Sequence, residues 1–183
     1  MKRIKLFESF LLENNIVKIY HGSLHEEDAI SILKNGWDES KVRGVKAEGT
    51  GMGAFFSINE VLYGNWTIEF DISVSDLRNY IIFDTGKNPY FNPNTQEKES
   101  LYSNKVIEFC KRINGRVETV EEQIKRINGN NLLVPNPNRW SDRDLGIIKG
   151  WITEYRFPNI MTIHLSDPSI AKPVRYFKNS YYS

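Results

Sequence analysis

The stretch IYHGSLHEEDAISILKNGW, residues 19–37, joins a short apolar run to a segment with helical periodicity. Its β-branched and aromatic beginning, together with residues 16–18, is typical of a strand. Beyond His21-Gly22-Ser23, apolar side chains recur at helical spacing, acids occupy the first turn, and Asn35-Gly36 ends the pattern. The stretch therefore predicts a strand, a tight turn and a helix in succession.

The composition indicates a single globular domain. The chain has 183 residues, of which 40% are hydrophobic and 26% are charged, enough apolar mass for one core. The formal net charge is only +1, so the chain has no global field of the kind that concentrates nucleic acid or an anionic membrane surface.

The number of cysteines and the length of the apolar runs indicate the cellular compartment in which we expect the protein. Cys110 is the single cysteine, which excludes an internal disulfide and a thiolate metal cluster, so we expect cytoplasmic chemistry without a metal. No apolar run approaches the roughly 20 residues that cross a bilayer, and we expect no membrane partner.

The first 15 residues predict a short amphipathic helix, because apolar side chains at 3–13 recur at helical spacing. One interpretation is that this helix docks on its own domain. In the other, MKRIKLFESFLLE resembles the capsid-targeting leaders of internal head proteins of T-even-type tailed phages. Those leaders are removed after a glutamate preceded two residues earlier by Leu or Ile, and Leu11 and Glu13 fit that rule.

The remaining chain, 16–183, predicts one domain of the α+β class, with strands and helices in the order β-α-β-β-β, helices, β-β. A glycine-rich loop lies at 43–53, and a Pro/Asn-rich loop opens a helical insertion at about 85–145. Further strands are predicted at 54–58, 66–74, 80–84, 150–157 and 159–165.

Five motifs bear a family resemblance: YHGS at 20–23, ILKNG at 32–36, GMGAFFS at 51–57, Tyr63 in VLYGN, and GWITEYRF at 150–157. Over most of residues 17–175 the chain resembles ADP-ribosyltransferases of the diphtheria-toxin and poly(ADP-ribose) polymerase type. The resemblance implies an ADP-ribosyltransferase-like fold, a split mixed/antiparallel β-sheet core with peripheral helices. It also implies NAD as the substrate.

The resemblance assigns the His-Gly-Ser turn to NAD binding. It implies that His21, a catalytic and NAD-binding residue, hydrogen-bonds a ribose hydroxyl. The backbone N–H and C=O of Gly22 would pair with the nicotinamide carboxamide, where a side chain would block the approach. Ser23 would be a nearby hydroxyl.

The later motifs complete the implied site. Phe55 and Tyr63 would stack on the two sides of the nicotinamide ring, with Ser57 beside them. Glu154 would be the second catalytic residue, holding the ribose 2′-OH and stabilising the oxocarbenium-like state by its charge.

The sequence departs from the family pattern at two positions. Phe55 stands where the family has a tyrosine, so stacking survives and the phenolic hydroxyl does not. The family's acid stands immediately ahead of its closing strand, whereas here the nearest upstream acid is Glu154, across Pro158. Either a bulge or an extra strand lies between Glu154 and the closing strand, or the family's catalytic glutamate is missing from this chain. Ile152 occupies the position of a second acid or amide in the arginine-modifying branch, which disfavours arginine as acceptor.

The expected function is NAD-dependent mono-ADP-ribosyl transfer to a host macromolecule, a protein or a nucleic acid, by a phage-encoded effector. The expected location is the cytoplasm of a bacterial host or the interior of a phage head. Two alternatives remain: a catalytically silent binding or internal virion protein on the same fold, and an NAD glycohydrolase that gives ADP-ribose to water.

Overall fold

A computed structural model describes residues 15–38, 53–58, 60, 64–84, 105–106, 108–117, 132–154 and 162–179. The strands in these ranges are β1 Ile16–Ser23, β2 Ala54–Ser57, β3 Trp66–Ser73, β4 Ile81–Asp84, β5 Arg116–Val117, β6 Leu132–Val134, β7 Thr162–Leu165 and β8 Lys172–Lys178. The helices are α1 Glu26–Asn35, α2 Val74–Tyr80 and α3 Asp142–Thr153. Short 3-10 turns lie at Pro137–Arg139 and Pro168–Ile170, and helical backbone also occurs at 105–106 and 108–112.

The eight strands form one sheet in the order β5-β6-β4-β7-β2-β1-β3-β8. Every pairing between these described strands is antiparallel, so the parallel component that a mixed sheet would need is not found among them. The α+β prediction is confirmed. β1 and β3 share eight register pairs, whereas β1 and β2 share only one, Tyr20 with Ser57.

One face of the sheet carries the apolar core. Ile19 of β1 lies opposite Phe70 of β3, and Phe56 of β2 lies opposite Ile163 of β7. All four side chains are buried, and the rings of Phe56 and Phe70 meet at near right angles with centroids 5.2 Å apart. α1 packs against β3 and β8, and α3 packs against β1, so the helices cover this core face.

The opposite face of the sheet, here called the polar face, carries buried polar side chains. Successive side chains of a strand alternate between faces, and the register places Ser57, Glu69 and His164 together on this one. Each of the three is 4% exposed or less. The Glu69 carboxylate accepts hydrogen bonds from Lys18 and from Arg175, whose Nη2 lies 2.7 Å from Oε2.

The end of α1 follows the predicted Asn-Gly stop. Gly36 has φ 76°, a left-handed value that favours glycine, and its N–H donates to the carbonyl of Ile32 at 2.8 Å. The acids of the first turn and Lys34 in the last turn both complement the helix dipole. The strand-turn-helix prediction for this stretch is confirmed.

The predicted strand at 150–157 is wrong in its described part. α3 runs through this region to Thr153, and Glu154 is its C-terminal cap rather than a mid-strand residue. The helix begins with a capping box in which the Ser141 side chain accepts from the Asp144 N–H and the Asp144 carboxylate accepts from the Ser141 N–H. Ile148 and Ile152, four residues apart, are buried on one helical face, and this spacing overrides the strand propensity of Trp-Ile-Thr.

Two smaller differences concern neighbouring segments. A helix, α2, separates β3 from β4 and includes Tyr80, which the sequence pattern assigned to a strand. The insertion at about 85–145 contains strands β5 and β6 in addition to helical backbone, and β6 pairs with β4. The predicted helix at 3–13 lies outside the described residues.

Candidate functional site

His21 lies at the point where β1 and β2 stop pairing. Tyr20 forms the one register pair with β2, and at the next residue the His21 side chain takes over: its Nδ1 lies 2.9 Å from the carbonyl oxygen of Phe55. A carbonyl oxygen only accepts hydrogen bonds, so Nδ1 carries the proton in this bond. In the neutral ring, Nε2 therefore presents a lone pair.

The surroundings of His21 favour the neutral ring. The imidazole meets Trp37 edge to face, with centroids 4.9 Å apart and planes at 87°, and it lies 5.6 Å from the ring of Phe56. Desolvation among these groups lowers the pKa of His21, and the hydrogen bond to the Phe55 carbonyl opposes the shift only in part. At neutral pH the ring can accept a proton or a hydrogen bond at Nε2.

Gly22 and Ser23 complete the turn in different ways. Gly22 lies opposite the buried Thr67 of β3 and is itself half-buried. The Ser23 hydroxyl donates to the carbonyl of His25 at 2.8 Å and accepts from the His25 N–H at 3.3 Å. Its hydrogen-bonding capacity is thus used inside the turn that leads into α1, which is a structural role.

The segment that follows Tyr63 lies against this turn. Tyr63 itself is outside the described residues, but Gly64, with φ 95°, packs so closely on Ser23 that a Cβ would lie 2.7 Å from the Ser23 carbonyl carbon. The Asn65 side-chain amide donates to the carbonyl of Leu24 at 3.2 Å. Gly64 and Asn65, which directly follow Tyr63 in the sequence, therefore lie on the turn that starts at His21.

Phe55 and Ser57 lie on the other face of the sheet from His21. Ser57 pairs with Tyr20, so His21, one residue further along, points to the core face, while Ser57 and Phe55 point to the polar face. The ring of Phe55 contacts that of His164 with centroids 4.8 Å apart, and Ser57 is 2% exposed. His21, Phe55 and Ser57 are brought to one strand junction, but they do not share one face.

The glycine before β2 is required by packing. Gly53 has φ 120°, and a Cβ there would lie 2.6 Å from Nε2 of His164, on the strand paired with β2. Within the described structure, the second glycine of the Gly-Met-Gly motif thus allows the approach of β2 to β7.

Glu154 is exposed at the C-terminal end of α3. Its helix packs against β1, the strand that carries His21. Residues 155–161, between Glu154 and the start of β7, contain no acidic residue, so no other acid stands immediately ahead of this strand. Glu154 is therefore separated from β7 by the whole of this segment.

Trp37 and His164 are aromatic neighbours of the site that sequence reasoning missed. Trp37 contacts His21, and His164 contacts Phe55. An aromatic residue directly after the Asn-Gly stop was the available signal for Trp37. His164 had no local signal, because its approach to Phe55 depends on the pairing of two strands far apart in sequence.

Other chemistry finds little support among the described residues. No group of three or more His, Cys, Asp or Glu side chains there could hold a metal ion. Burial raises the pKa of the Cys110 thiol to about 12, which makes it a poor nucleophile. None of the described helices is long and apolar enough to cross a membrane.

Comparison of the chain with models of protein families, with curated proteins and with solved structures finds no match. The geometry of the site and the motifs of the sequence are therefore what a functional assignment rests on.

Proposed function

We propose that this domain binds NAD at the His21 end of β1 and transfers the ADP-ribose group to a macromolecule. One observation carries the proposal: Nδ1 of the buried His21 ring donates to the Phe55 carbonyl, which fixes the tautomer and leaves Nε2 able to accept from a sugar hydroxyl, while desolvation favours the neutral ring. Gly22 follows at once, without a side chain to obstruct a ligand. The ADP-ribosyltransferase-like fold is part of the same proposal.

In this reaction the bond between the nicotinamide nitrogen and C1′ of the ribose breaks, and a bond from C1′ to the acceptor nucleophile forms. Positive charge develops on the sugar, and the acceptor loses a proton. His21 would hold a ribose hydroxyl, the backbone of Gly22 the carboxamide, and Tyr63 the nicotinamide ring. Phe55, whose ring lies on the other face of the sheet, would act through its carbonyl, which holds the His21 imidazole. Glu154 would stabilise the developing charge, a role worth about 3 to 4 kcal/mol for one well-placed group.

A silent NAD-binding domain is the second candidate, and the position of Glu154 favours it. This carboxylate is exposed at a helix end, and residues 155–161 supply no substitute acid ahead of β7. A charge at a solvent-exposed position stabilises a developing cation much less than a charge in a closed site. NAD would then bind without being cleaved.

Labelled NAD separates these functions. The wild type is incubated with NAD labelled in the adenosine part, with and without a bacterial lysate, and label on macromolecules is compared with free ADP-ribose. We expect label on a macromolecule, whereas free ADP-ribose alone would indicate a glycohydrolase. NAD that binds but stays intact under all conditions would establish the silent domain.

The role of Glu154 is tested in the same assay. Glu154→Gln keeps the shape and removes the charge, so NAD should still bind while turnover falls by roughly two to three orders of magnitude. Glu108→Gln, at another exposed glutamate on helical backbone, is the matched control and should keep full turnover. Undiminished turnover by Glu154→Gln would remove Glu154 from the mechanism.

The proposed setting is the cytoplasm of a bacterial host, with packaging in a phage head if residues 1–13 act as a leader. The acceptor would be a host protein or a nucleic acid. Mass spectrometry of the protein from infected cells tests the leader, because processing should leave a chain that begins at Asn14. A chain that retains residues 1–13 in purified virions would contradict it.

A further inference from the structure

The indole nitrogen of Trp37 is a buried donor that finds no acceptor among the residues that the structure describes. Nε1 is buried from solvent and makes no hydrogen bond within the described ranges. Buried donors are almost always paired, because an unpaired one loses its hydrogen bond to water and gains nothing in return. Such an exception beside a proposed binding site calls for a ligand group that completes it.

The neighbouring imidazole of His21 offers a hydrogen-bond acceptor. Trp37 and His21 meet edge to face at 4.9 Å between centroids. Nδ1 of His21 is committed to the Phe55 carbonyl, and its Nε2 makes no hydrogen bond within the described part of the chain. Two adjacent rings thus offer one N–H donor and one nitrogen acceptor.

The local fold holds the two rings together. Gly36, with its left-handed φ, turns the chain at the end of α1 so that Trp37 returns to β1. Phe56, which is 1% exposed, lies behind both rings, 5.6 Å from His21 and 6.0 Å from Trp37. Because Phe56 is fixed in the core, the donor and the acceptor keep their relative positions.

We propose that Trp37 and His21 together bind a single ribose hydroxyl of NAD, which accepts a hydrogen bond from Nε1 of Trp37 and donates one to Nε2 of His21. This inference rests on the proposed NAD binding and adds Trp37 as a residue that determines specificity. A hydroxyl can donate and accept at once, whereas a phosphate or carboxylate oxygen only accepts and would face the His21 lone pair. The pair therefore selects a sugar over an anionic group.

Trp37→Phe tests the inference, since it keeps an aromatic ring and removes only the donor. Calorimetry measures its affinity for NAD and for the four NAD analogues that each lack one ribose hydroxyl. We expect NAD to bind Trp37→Phe about tenfold more weakly than it binds the wild type. The wild type and Trp37→Phe should have equal affinities for the one analogue that lacks the recognised hydroxyl.

Trp140→Phe is the matched control. Nε1 of Trp140 is also buried without an acceptor among the described residues, but its ring packs on Phe109 in another part of the core. This variant loses the same kind of donor and should bind NAD like the wild type.

The outcomes are distinct. If NAD binds Trp37→Phe as tightly as the wild type, the donor serves a trapped water or nothing, and the inference is overturned while NAD binding stands. An equal loss against all four analogues would reduce Trp37 to a packing residue and overturn the inference as well. A wild type that binds no NAD overturns both the inference and the proposed function.

A measurement on the wild type covers the case in which Trp37→Phe does not fold. The chain has 4 tryptophans, and each gives one indole N–H signal in a ¹⁵N-labelled sample. Saturation with NAD should shift the Trp37 signal strongly and leave that of Trp140 in place. An unmoved Trp37 signal at saturating NAD would overturn the inference.

Discussion

Strand β1 is held very differently on its two sides. Toward β3 it forms eight register pairs along its whole length, and toward β2 it forms a single pair at Tyr20. Beyond that pair, the imidazole of His21 reaches the Phe55 carbonyl and takes the place of the next backbone contact. The difference indicates that β1 is anchored mainly by β3, and that its pairing with β2 ends at the residue before the imidazole.

The largest effect on the free energy of unfolding is expected on the side of β1 that pairs with β3. Phe70→Ala removes a ring that is fully buried against Phe56, and we expect a loss of about 3 to 5 kcal/mol in the free energy of unfolding. Phe55→Ala, at a half-buried ring on the β2 side, should cost clearly less. Urea denaturation measures both, and equal losses would show that the two sides contribute alike.

A smaller loss is expected where the chain packs on the turn. Gly64→Ala forces a side chain into a left-handed backbone position and against the carbonyl group of Ser23. We expect a cost of about 1 to 3 kcal/mol and a weaker affinity for NAD.

Gly146→Ala is the control for this substitution, since Gly146 lies within α3 and a Cβ there meets no atom within 4 Å. It should leave stability unchanged or raise it by up to about 1 kcal/mol. A Gly64→Ala protein as stable as this control would mean that the packing of Gly64 on Ser23 does not constrain the turn.

How far the sequence predicts this molecule depends on whether the signal is local. The β1-α1 unit follows from a strand-like run, first-turn acids and the Asn35-Gly36 stop, all of which act within a few residues. The capping box Ser141-x-x-Asp144 and the buried pair Ile148 and Ile152 were equally local signals for α3. Gly150 and the Trp-Ile-Thr run obscured them and produced the wrong strand.

The arrangement of the site could not be predicted in the same way. The assignment of Phe55 and His21 to opposite faces follows from one register pair between β1 and β2, which no local pattern encodes. The contact of Trp37 with His21 depends on the direction that Gly36 gives to the chain. His164 meets Phe55 only because β7 pairs with β2.

On the side of β1 that pairs with β3, Glu69 predicts a loss of stability at low pH. Desolvation raises the pKa of Glu69, but hydrogen bonds from Lys18 and Arg175 outweigh it, so the net shift is downward from 4.5. Because the folded pKa is lower than the unfolded one, this stabilisation is complete above about pH 4.5 and is lost as the pH falls further.

Glu69→Gln should flatten the fall in unfolding free energy below this pH, and Glu27→Gln, at an exposed glutamate, should not. Urea denaturation between pH 5 and pH 3 would provide the comparison. Parallel curves for wild type and Glu69→Gln would contradict the assignment.

On the side of β1 that faces β2, His21 predicts a smaller loss of stability, which begins at a higher pH. Desolvation lowers the pKa of His21 from its ordinary 6.5, so the folded state prefers the neutral ring. The unfolded chain takes up a proton first, and stability declines as the pH falls from about 6.5 toward the lowered value. His21→Gln should remove this decline and the exposed His25→Gln should retain it; thermal melts between pH 8 and pH 5 test the difference.

NAD binding at the His21 end of β1 is tested most directly by calorimetric titration of the wild type and Gly22→Val with NAD, with Gly146→Ala as control. A side chain at Gly22 would occupy the space assigned to the nicotinamide carboxamide. We expect the wild type and the control to bind NAD, and Gly22→Val to show no measurable binding at an unchanged melting temperature. A folded Gly22→Val protein that binds NAD as tightly as the wild type, or a wild type that does not bind NAD, would contradict the account.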